Sequence, residues 1–170
     1  KVRLVPGRDP LTDNSSPVVG ELAARLGRDW RTTAGLQWDP HADGKNIDKG
    51  SASVHYRDPK NRVLNLSYRF TRDLVDQTDL SGRWPLGSNL HVVGRWIYSF
   101  RQEETTTAFA GFEYDTCCWK ARFVAQQLLT NIEEDPRTSF FVQVELKGLA
   151  KIGHGVDEYL EDNIIGYRTD

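Results

Sequence analysis

Cys117 and Cys118 carry the most reactive side chains of this 170-residue chain, and they are its only two cysteines. A thiol can act as a nucleophile, as a metal ligand or as half of a disulfide bond. Adjacent cysteines pair with each other only through a strained eight-membered ring, because their Cα atoms are held about 3.8 Å apart. Three interpretations therefore stay open: two reduced thiols at a turn, a vicinal redox pair, or disulfides to cysteines that this chain does not contain.

The remaining polar side chains do not form a recognisable catalytic motif. The histidines lack metal-ligand spacing, and neither a Walker loop nor a nucleophile elbow is present. The acidic run within 157–162 is a possible cation site, but we interpret it as the solvated face of a short helix whose other face carries Val156, Leu160 and Ile164. We predict no catalytic residue, no metal site, no cofactor and no enzymatic activity.

The composition argues against several classes of protein. The formal net charge is −2 and the arginines are scattered singly, which disfavours nucleic acid or an anionic membrane surface as a partner. No stretch approaches 18 apolar residues, so we predict no transmembrane helix. The first residues lack the apolar core of a signal peptide, and methionine is absent, so we expect a fragment or a processed chain.

Apolar and polar residues alternate with period 2 along most of the chain, which is typical of β-strands. Leu64 and Leu66 point to one face, for example, while Asn65 and Ser67 point to the other. Most of the predicted strands have about 8–12 residues, close to the 9–11 residues that cross a bilayer at a tilt. The alternation predicts about nine strands, over 18–26, 29–38, 47–57, 62–72, 77–84, 89–100, 105–115, 118–127 and 138–147.

The connections between these strands differ in length. Outer-membrane barrels have short periplasmic turns and longer outside loops. Assigning the tight turns to the periplasm places the turn at Thr116–Cys117 on that side as well. The tight turns are 26–29, 58–61 and 85–88, and the longer polar loops are 39–46 and 129–137. The periplasmic strand ends carry aromatic residues on the apolar face, as in an interfacial girdle: Trp30, Trp84, Tyr114 and Trp119.

The polar face of the predicted strands holds isolated arginines among small residues. We predict that these arginines face a polar lumen and pair there with Glu21, Glu113 or Glu145. The lumen-facing set is Arg31, Arg69, Arg95 and Arg122. The alternative is a soluble sandwich or lipocalin-like barrel with its apolar face turned inward. Aromatic side chains on almost every strand would overfill such an interior.

Two segments resemble a known family. The run Gly-Phe-Glu-Tyr-Asp-Thr-Cys-Cys-Trp-Lys-Ala-Arg-Phe at 111–123 and the run Phe-Val-Gln-Val-Glu-Leu-Lys-Gly-Leu at 141–149 resemble the C-terminal barrel of LptD, the lipopolysaccharide assembly family. The resemblance implies an all-β fold: an antiparallel transmembrane outer-membrane β-barrel segment with a short periplasmic C-terminal tail. It divides the chain into barrel residues 1–148 and tail residues 149–170.

The resemblance also implies a function and partners. Family members act in the bacterial outer membrane with the lipoprotein LptE as a plug, and they insert lipopolysaccharide into the outer leaflet. The chain would receive lipopolysaccharide from a periplasmic bridge through an N-terminal jellyroll domain that it lacks. The barrel assembly machinery and outer-membrane lipid would be further partners, and nucleic acid would not.

Individual residues acquire roles through the same resemblance. Cys117 and Cys118 would form disulfides with two cysteines of the missing N-terminal region. Residues 138–148 would be the closing strand at one edge of a lateral gate: Phe140, Phe141, Val142, Gln143, Val144, Glu145 and Leu146. Two alternatives remain at this stage, a small self-contained outer-membrane barrel acting as an adhesin or enzyme, and a soluble β-sandwich binding module.

Overall fold

A computed structural model describes residues 17–39, 47–128 and 137–168. These residues form one ten-stranded sheet in which each strand pairs with its neighbours in chain order, always antiparallel. The elements are β1 (Val18–Leu26), β2 (Trp30–Trp38), β3 (Ile47–Arg57), β4 (Val63–Thr71), β5 (Val75–Pro85), β6 (Leu90–Ser99), β7 (Glu104–Asp115), β8 (Trp119–Leu128), β9 (Arg137–Leu146), β10 (Ala150–Gly153) and α1 (Val156–Asn163).

The all-β antiparallel prediction is confirmed, and β1 to β9 begin and end within about two residues of the predicted strands. The alternation does not predict β10, because four residues are too few to show a period. β10 forms because the turn at 147–149, with Gly148 in the left-handed region at φ 80°, folds the chain back onto β9. The two predicted loops 39–46 and 129–137 lie outside the described residues, apart from Asp39 and Arg137.

The turns divide between two ends of the sheet. We call the end that carries the β7–β8 turn, with Cys117 and Cys118, the Cys end, and the opposite one the far end. The β1–β2, β3–β4, β5–β6 and β9–β10 turns also lie at the Cys end. In the β3–β4 turn, Asp58 accepts hydrogen bonds from the backbone N–H groups of Lys60 and Arg62, each at 3.0 Å. The side chain of Arg62 holds the pKa of the Asp58 carboxyl below its usual value, against the opposing effect of burial.

The two faces of the sheet differ in character. Cross-strand partners share a face, so Leu64, Gly82 and Gly94 on three successive strands belong to one row of what we call the outer face. Large apolar side chains of this face are exposed; Leu66, for instance, keeps half of its surface accessible. The opposite, inner face carries the polar members of the alternation.

The C-terminal residues 154–168, which we call the strap, lie against the inner face. They contain α1, and an apolar core fills the space between helix and sheet. The predicted apolar side of the helix is buried as expected. The prediction that the acidic residues of this helix face solvent is wrong for Asp157, because Asp157 is only 5% exposed and hydrogen-bonds to the sheet. The core consists of Val63, Val93, Phe109, Val124, Val156, Leu160, Ile164 and Tyr167.

The segment predicted as a separate tail, 149–170, thus supplies a strand and a helix that contact the sheet in its described part. Its placement in the periplasm stays a prediction. Across the described ranges, no helix is long and apolar enough to span a membrane. A β-sandwich would need two packed sheets, whereas all ten described strands belong to one sheet.

Candidate functional site

The outer face presents a continuous apolar surface with aromatic side chains concentrated towards both ends. At the Cys end, the ring centroids of Trp30 and Tyr56 are 4.8 Å apart, and those of Tyr114 and Trp119 are 5.4 Å apart. Trp84 continues this row at 6.3 Å from Tyr56. The structure therefore places all four of the predicted girdle residues on one face at one end, with Tyr56 as an addition.

A second aromatic group lies towards the far end of the outer face. Phe100 is 5.2 Å from Tyr98 and 6.3 Å from Tyr68, measured between ring centroids, and Trp96 is 5.6 Å from Tyr98. An apolar band bounded by two aromatic girdles is the arrangement that suits a lipid bilayer with polar interfaces on both sides.

The Cys117–Cys118 turn is exposed and is held by hydrogen bonds from both sides. Both cysteines are free thiols in this structure. The hydroxyl of Thr116 is 2.8 Å from the carbonyl oxygen of Trp119 and accepts from the Trp119 N–H at 3.2 Å. The N–H of Lys147, in the next turn, donates to the carbonyl of Cys118 at 3.0 Å. The sulfurs thus project from a turn whose backbone is fixed to its neighbour.

Lys147 also places a positive charge beside the thiols. Its ammonium donates to the carbonyl of Thr116 at 2.6 Å and lies 2.6 Å from a carboxylate oxygen of Asp115. Hydrogen bonding to Asp115 raises the pKa of Lys147. A hydrogen bond with Cys117 raises the pKa of the Cys118 thiol, while the charge of Lys147 opposes that effect. Such a turn is accessible for disulfide exchange but has no strongly activated thiolate.

Glu113 is the centre of a buried ionic cluster on the inner face. It is fully buried and accepts a hydrogen bond from Arg83 at 2.8 Å and one from Arg122 at 3.4 Å. The hydroxyl of Tyr167, from the strap, donates to the same carboxylate at 2.8 Å. Burial raises the pKa of Tyr167, which keeps the hydroxyl protonated as a donor.

The predicted lumen-facing arginines all lie on the inner face but in different surroundings. Arg122 is fully buried and also contacts Glu145 at 3.0 Å. Arg95 is half-buried, forms a two-pronged ion pair with Asp79 and donates to Asn163 of α1 at 2.9 Å. Arg31 and Arg69 are exposed. Arg69 lines an open hollow of about 410 Å³ together with Glu21, Thr33, Ser51 and Lys49.

The strap is fastened to the inner face at several separate points. At its start, Asp157 exchanges two hydrogen bonds with Gln143 of β9, at 2.8 and 3.0 Å. Towards its end, the carbonyl of Ile165 accepts from the amide of Asn65 on β4 at 2.9 Å. Between these points, the Tyr159 ring packs against Phe141 and Phe109 with centroid distances of 5.7 and 5.2 Å. The strap thus crosses the sheet from β9 to β4.

Burial by itself opposes ionisation of Asp157, but hydrogen bonds from Lys151 and Gln143 outweigh it. The pKa of Asp157 is lowered to about 2. Lys151 belongs to β10, and its ammonium reaches the Asp157 carboxylate at 2.5 Å. One carboxylate therefore joins β9, β10 and α1.

The predicted closing strand corresponds to β9, and its two halves have different neighbours. Residues 143–146 pair with β10 on one side and β8 on the other. Residues 138–141 pair with β8 alone among the described residues. Phe140, Val142, Val144 and Leu146 point to the outer face, whereas Phe141, Gln143 and Glu145 point inward.

Sequence reasoning does not single out Arg83 or Tyr167, and it placed Asp157 on a solvated helix face, although all three are part of the buried network. Arg83 was detectable in principle, because it occupies the polar side of the alternation over 77–84 with Asp79 and Ser81. Nothing local marks Tyr167, whose partner Glu113 is 54 positions away. Within the described ranges, no three His, Cys, Asp or Glu side chains are close enough to hold a metal ion.

A single meander of antiparallel strands, most of them 9–12 residues long, with an apolar outer face between aromatic groups and a polar inner face, defines a segment of an outer-membrane type β-barrel. Comparison with known protein families identifies the family. The family model described as "LptD: LPS transport system D" matches residues 1–90. The chain belongs to the LptD family.

Curated relatives extend the match over nearly the whole chain. The LPS-assembly protein LptD of Nitrosococcus oceani is 44% identical over 163 residues, which cover 96% of this chain and 22% of that protein. The protein of the same name from Pseudomonas aeruginosa is 34% identical and is covered over 20% of its length. That of Thiobacillus denitrificans is 32% identical with 22% covered. The chain spans about a fifth of the length of these relatives.

Proposed function

We propose that this chain is the C-terminal part of an outer-membrane translocon component that inserts lipopolysaccharide into the outer leaflet. The observation that carries the proposal is an exposed apolar face between two aromatic groups in a chain of the LptD family. That face would contact outer-membrane lipid. The role is one of transport and assembly, and we propose no catalytic residue and no cofactor.

The name shared by the relatives, LPS-assembly protein, supports lipopolysaccharide as a partner, and the family resemblance supports the other proposed partners. Lipopolysaccharide is the cargo, and LptE is the lipoprotein plug. The periplasmic bridge would act through an N-terminal domain of the longer parent protein. The barrel assembly machinery would insert the strands, and the Cys end would face the periplasm.

In this proposal, Cys117 and Cys118 form disulfides with cysteines in the N-terminal part of the parent protein. Support comes from their exposure and from the rigid turn that presents both thiols outward at one end of the sheet. Exposed thiols in the oxidising periplasm are readily converted to disulfides. These disulfides would hold the N-terminal domain at the Cys end of the barrel.

The inner arginines would divide into two groups. Arg95 and Arg122 join neighbouring strands through ion pairs with Asp79, Glu113 and Glu145, and Arg95 also binds Asn163 of α1, so we propose a structural role for them. Arg31 and Arg69 lie on the exposed part of the inner face, where they are available to anionic sugar or phosphate groups. In the same proposal, β9 is the closing strand at one edge of the lateral gate.

Nonreducing electrophoresis of the full-length parent protein tests whether Cys117 and Cys118 form these disulfides. We expect oxidised wild type to migrate differently from reduced protein, and the double variant Cys117→Ser, Cys118→Ser to lose this difference. The double variant should also deliver less labelled lipopolysaccharide to the cell surface than wild type does. The control is Leu149→Ser, which alters an 86% exposed residue in the neighbouring turn and should behave as wild type.

If the double variant still migrates differently when oxidised and when reduced, Cys117 and Cys118 do not form the proposed disulfides. Recovery of the parent protein from the soluble fraction, without detergent, would contradict the membrane role. If the strands instead close as a small self-contained barrel, the 170-residue chain expressed alone should show heat-modifiable mobility. Under the translocon proposal it should not.

A further inference from the structure

The strap covers only part of the inner face. It crosses the sheet from β9 to β4, and the apolar core beneath it contains no described residue of β1 or β2. We call the inner-face residues of β1 and β2 the open wall. The covered part and the open wall therefore present different side chains to the space above the inner face.

The covered part has little positive charge to offer an anion. Its arginines already have carboxylate partners, and an ion pair attracts a further anion only weakly. The outward side of the strap is itself acidic, since Glu158 and Asp162 are exposed. An anionic group is therefore not drawn to this part of the face. The ion pairs are Arg83 and Arg122 with Glu113, and Arg95 with Asp79.

Arg25 and Arg31 lie opposite each other on the open wall. They are direct partners in the register of β1 with β2, and both are exposed. Side chains in such positions have Cβ atoms about 4.5–5.5 Å apart. On the other side of Arg31, its partner on β3 is His55, whose Nδ1 lies 2.9 Å from the side-chain oxygen of Asn65. Two positively charged side chains are thus neighbours near the Cys end.

No carboxylate of the described residues neutralises this pair. Neither arginine forms an ion pair within 17–39, 47–128 and 137–168, although Asp29 is only two residues from Arg31. Glu21, on the same face, is four residues from Arg25, which is about 13 Å along a strand. Like charges directly opposite each other destabilise a sheet. The sheet therefore carries an unfavourable pair that a bound anion would stabilise.

The chemistry of two neighbouring arginines suits phosphate. A guanidinium group is planar and binds two phosphate oxygens through two parallel N–H donors, so two such groups can hold one phosphate between them. Arg69 and Lys49 lie farther towards the far end, where they line the hollow of about 410 Å³ together with Glu21. Because the hollow contains a carboxylate, the Arg25–Arg31 pair is the more cationic of the two places.

We propose that Arg25 and Arg31 form a phosphate-binding site for the phosphorylated sugar part of the lipopolysaccharide cargo, and that the acidic strap confines this cargo to the open wall. Charge complementarity identifies the occupant, because two uncompensated arginines match a phosphate dianion. The inference rests on the proposed function in taking the inner face as the path of the cargo. The site would be the first strongly cationic point that cargo meets on entering from the Cys end.

Binding to the full-length parent protein, purified with its partner in detergent, tests the site. The probes are a phosphorylated core oligosaccharide of lipopolysaccharide and the same oligosaccharide dephosphorylated with aqueous hydrogen fluoride. We expect wild type to bind the phosphorylated form on the order of tenfold more tightly, and Arg25→Gln with Arg31→Gln to lose this preference. Lys60→Gln with Arg101→Gln removes the same charge from two exposed turn positions and should keep it.

Two results of this titration would overturn the proposal. One is a preference that persists in the Arg25→Gln, Arg31→Gln variant or is absent from wild type. The other is displacement of the oligosaccharide by an equal concentration of inorganic phosphate, which would indicate a site for free phosphate rather than for the cargo.

Arg31→Glu separates binding from folding. The variant places a carboxylate opposite Arg25, so we expect the midpoint of urea unfolding to stay the same or rise while the preference for the phosphorylated oligosaccharide is lost. A lower midpoint in Arg31→Glu would show that the arginines support the sheet rather than a ligand.

Photo-crosslinking in cells tests the confinement. p-Benzoylphenylalanine replaces Ala23 on the open wall or Ile165 on the strap, and both positions are exposed. We expect the probe at 23 to capture lipopolysaccharide several-fold more than the probe at 165. Equal capture, or no capture at 23, would overturn the proposal. These readouts report the ligand, whereas the Cys117 and Cys118 gel shift and the need for detergent report the proposed function, so the two failures are distinguishable.

Discussion

Asp157 and Gln143 bind each other twice: the amide of Gln143 donates to the Asp157 carboxylate at 2.8 Å, and its carbonyl accepts from the Asp157 N–H at 3.0 Å. One residue lies at the start of α1 and the other in the middle of β9, and both are buried. Because the pair satisfies an otherwise unbonded N–H of the first helical turn, it fixes the start of α1 against β9.

Asp157→Asn should loosen the strap, and acid should loosen it in the wild type. The pKa of Asp157 in the folded protein, about 2, is below the ordinary 3.8. Its contribution is therefore complete above about pH 4 and is lost as the pH falls through 2. That contribution is on the order of 2 kcal/mol at most, since the partner Lys151 is half exposed. Hydrogen exchange of the α1 amides, corrected for intrinsic rates, measures it.

The matched control for this change is Asp162→Asn, which removes the same charge from an exposed position of the same helix. Equal loss of protection in both variants would contradict a specific role for Asp157. So would an acid transition that persists unchanged in Asp157→Asn.

Glu113→Gln should strongly destabilise the inner face. Glu113 is fully buried between Arg83 and Arg122, so neutralising it removes the carboxylate paired with Arg83 and one of the two paired with Arg122. Breaking one partner of a buried ionic cluster costs about 3–5 kcal/mol. The midpoint of urea unfolding of the refolded parent protein in detergent should fall accordingly. Glu21→Gln, an exposed glutamate on the same face, should shift the midpoint by much less.

Leu160→Ala should release the strap without preventing strand pairing. Leu160 is fully buried in the core between α1 and the sheet, and such truncations cost about 2–5 kcal/mol. We expect proteases to cleave within 154–168 faster than in wild type while heat-modifiable mobility is retained. Ile165→Ala is the control, because that side chain is 66% exposed. Wild-type cleavage of Leu160→Ala would refute the docking of α1.

Gly111→Ala should disturb the pairing of β7 with β8. A Cβ at this position would lie 2.2 Å from the carbonyl oxygen of Phe123 and 2.8 Å from a methyl group of Val124, so the strands must separate locally. The yield of folded, heat-modifiable protein should drop several-fold. Gly20→Ala has no atom within 4 Å of its new Cβ and should fold normally. A normal yield from Gly111→Ala would show that this approach is not tight.

Lys147→Met should slow the reactions of the Cys117–Cys118 turn. The charge of Lys147 favours the Cys118 thiolate, so its removal raises the thiol pKa further above its usual value. Alkylation of the reduced protein by iodoacetamide near pH 8 should slow a few-fold. Lys60→Met, in another turn at the Cys end, should leave the rate unchanged. A faster reaction in Lys147→Met would mean that its hydrogen bonds to the turn, rather than its charge, dominate.

The sequence by itself determined the positions of β1 to β9, the two faces of the sheet and the placement of Cys117 and Cys118 on a turn. These features are local. A period-2 alternation indicates which side chains share a face, and tight-turn residues indicate where a strand ends. The outward direction of Leu64 and the inward direction of Asn65 could both be inferred from neighbouring residues alone.

Only the tertiary structure decided which polar residues are satisfied internally and where the C-terminal residues lie. Arg122 and Arg31 look alike in sequence, yet one is buried among carboxylates and the other is exposed. The strap is anchored by pairs far apart in the chain, 54 positions for Tyr167 with Glu113 and 100 for Ile165 with Asn65. No local pattern encodes such contacts, because they exist only after the strands have paired and formed the surface on which α1 packs.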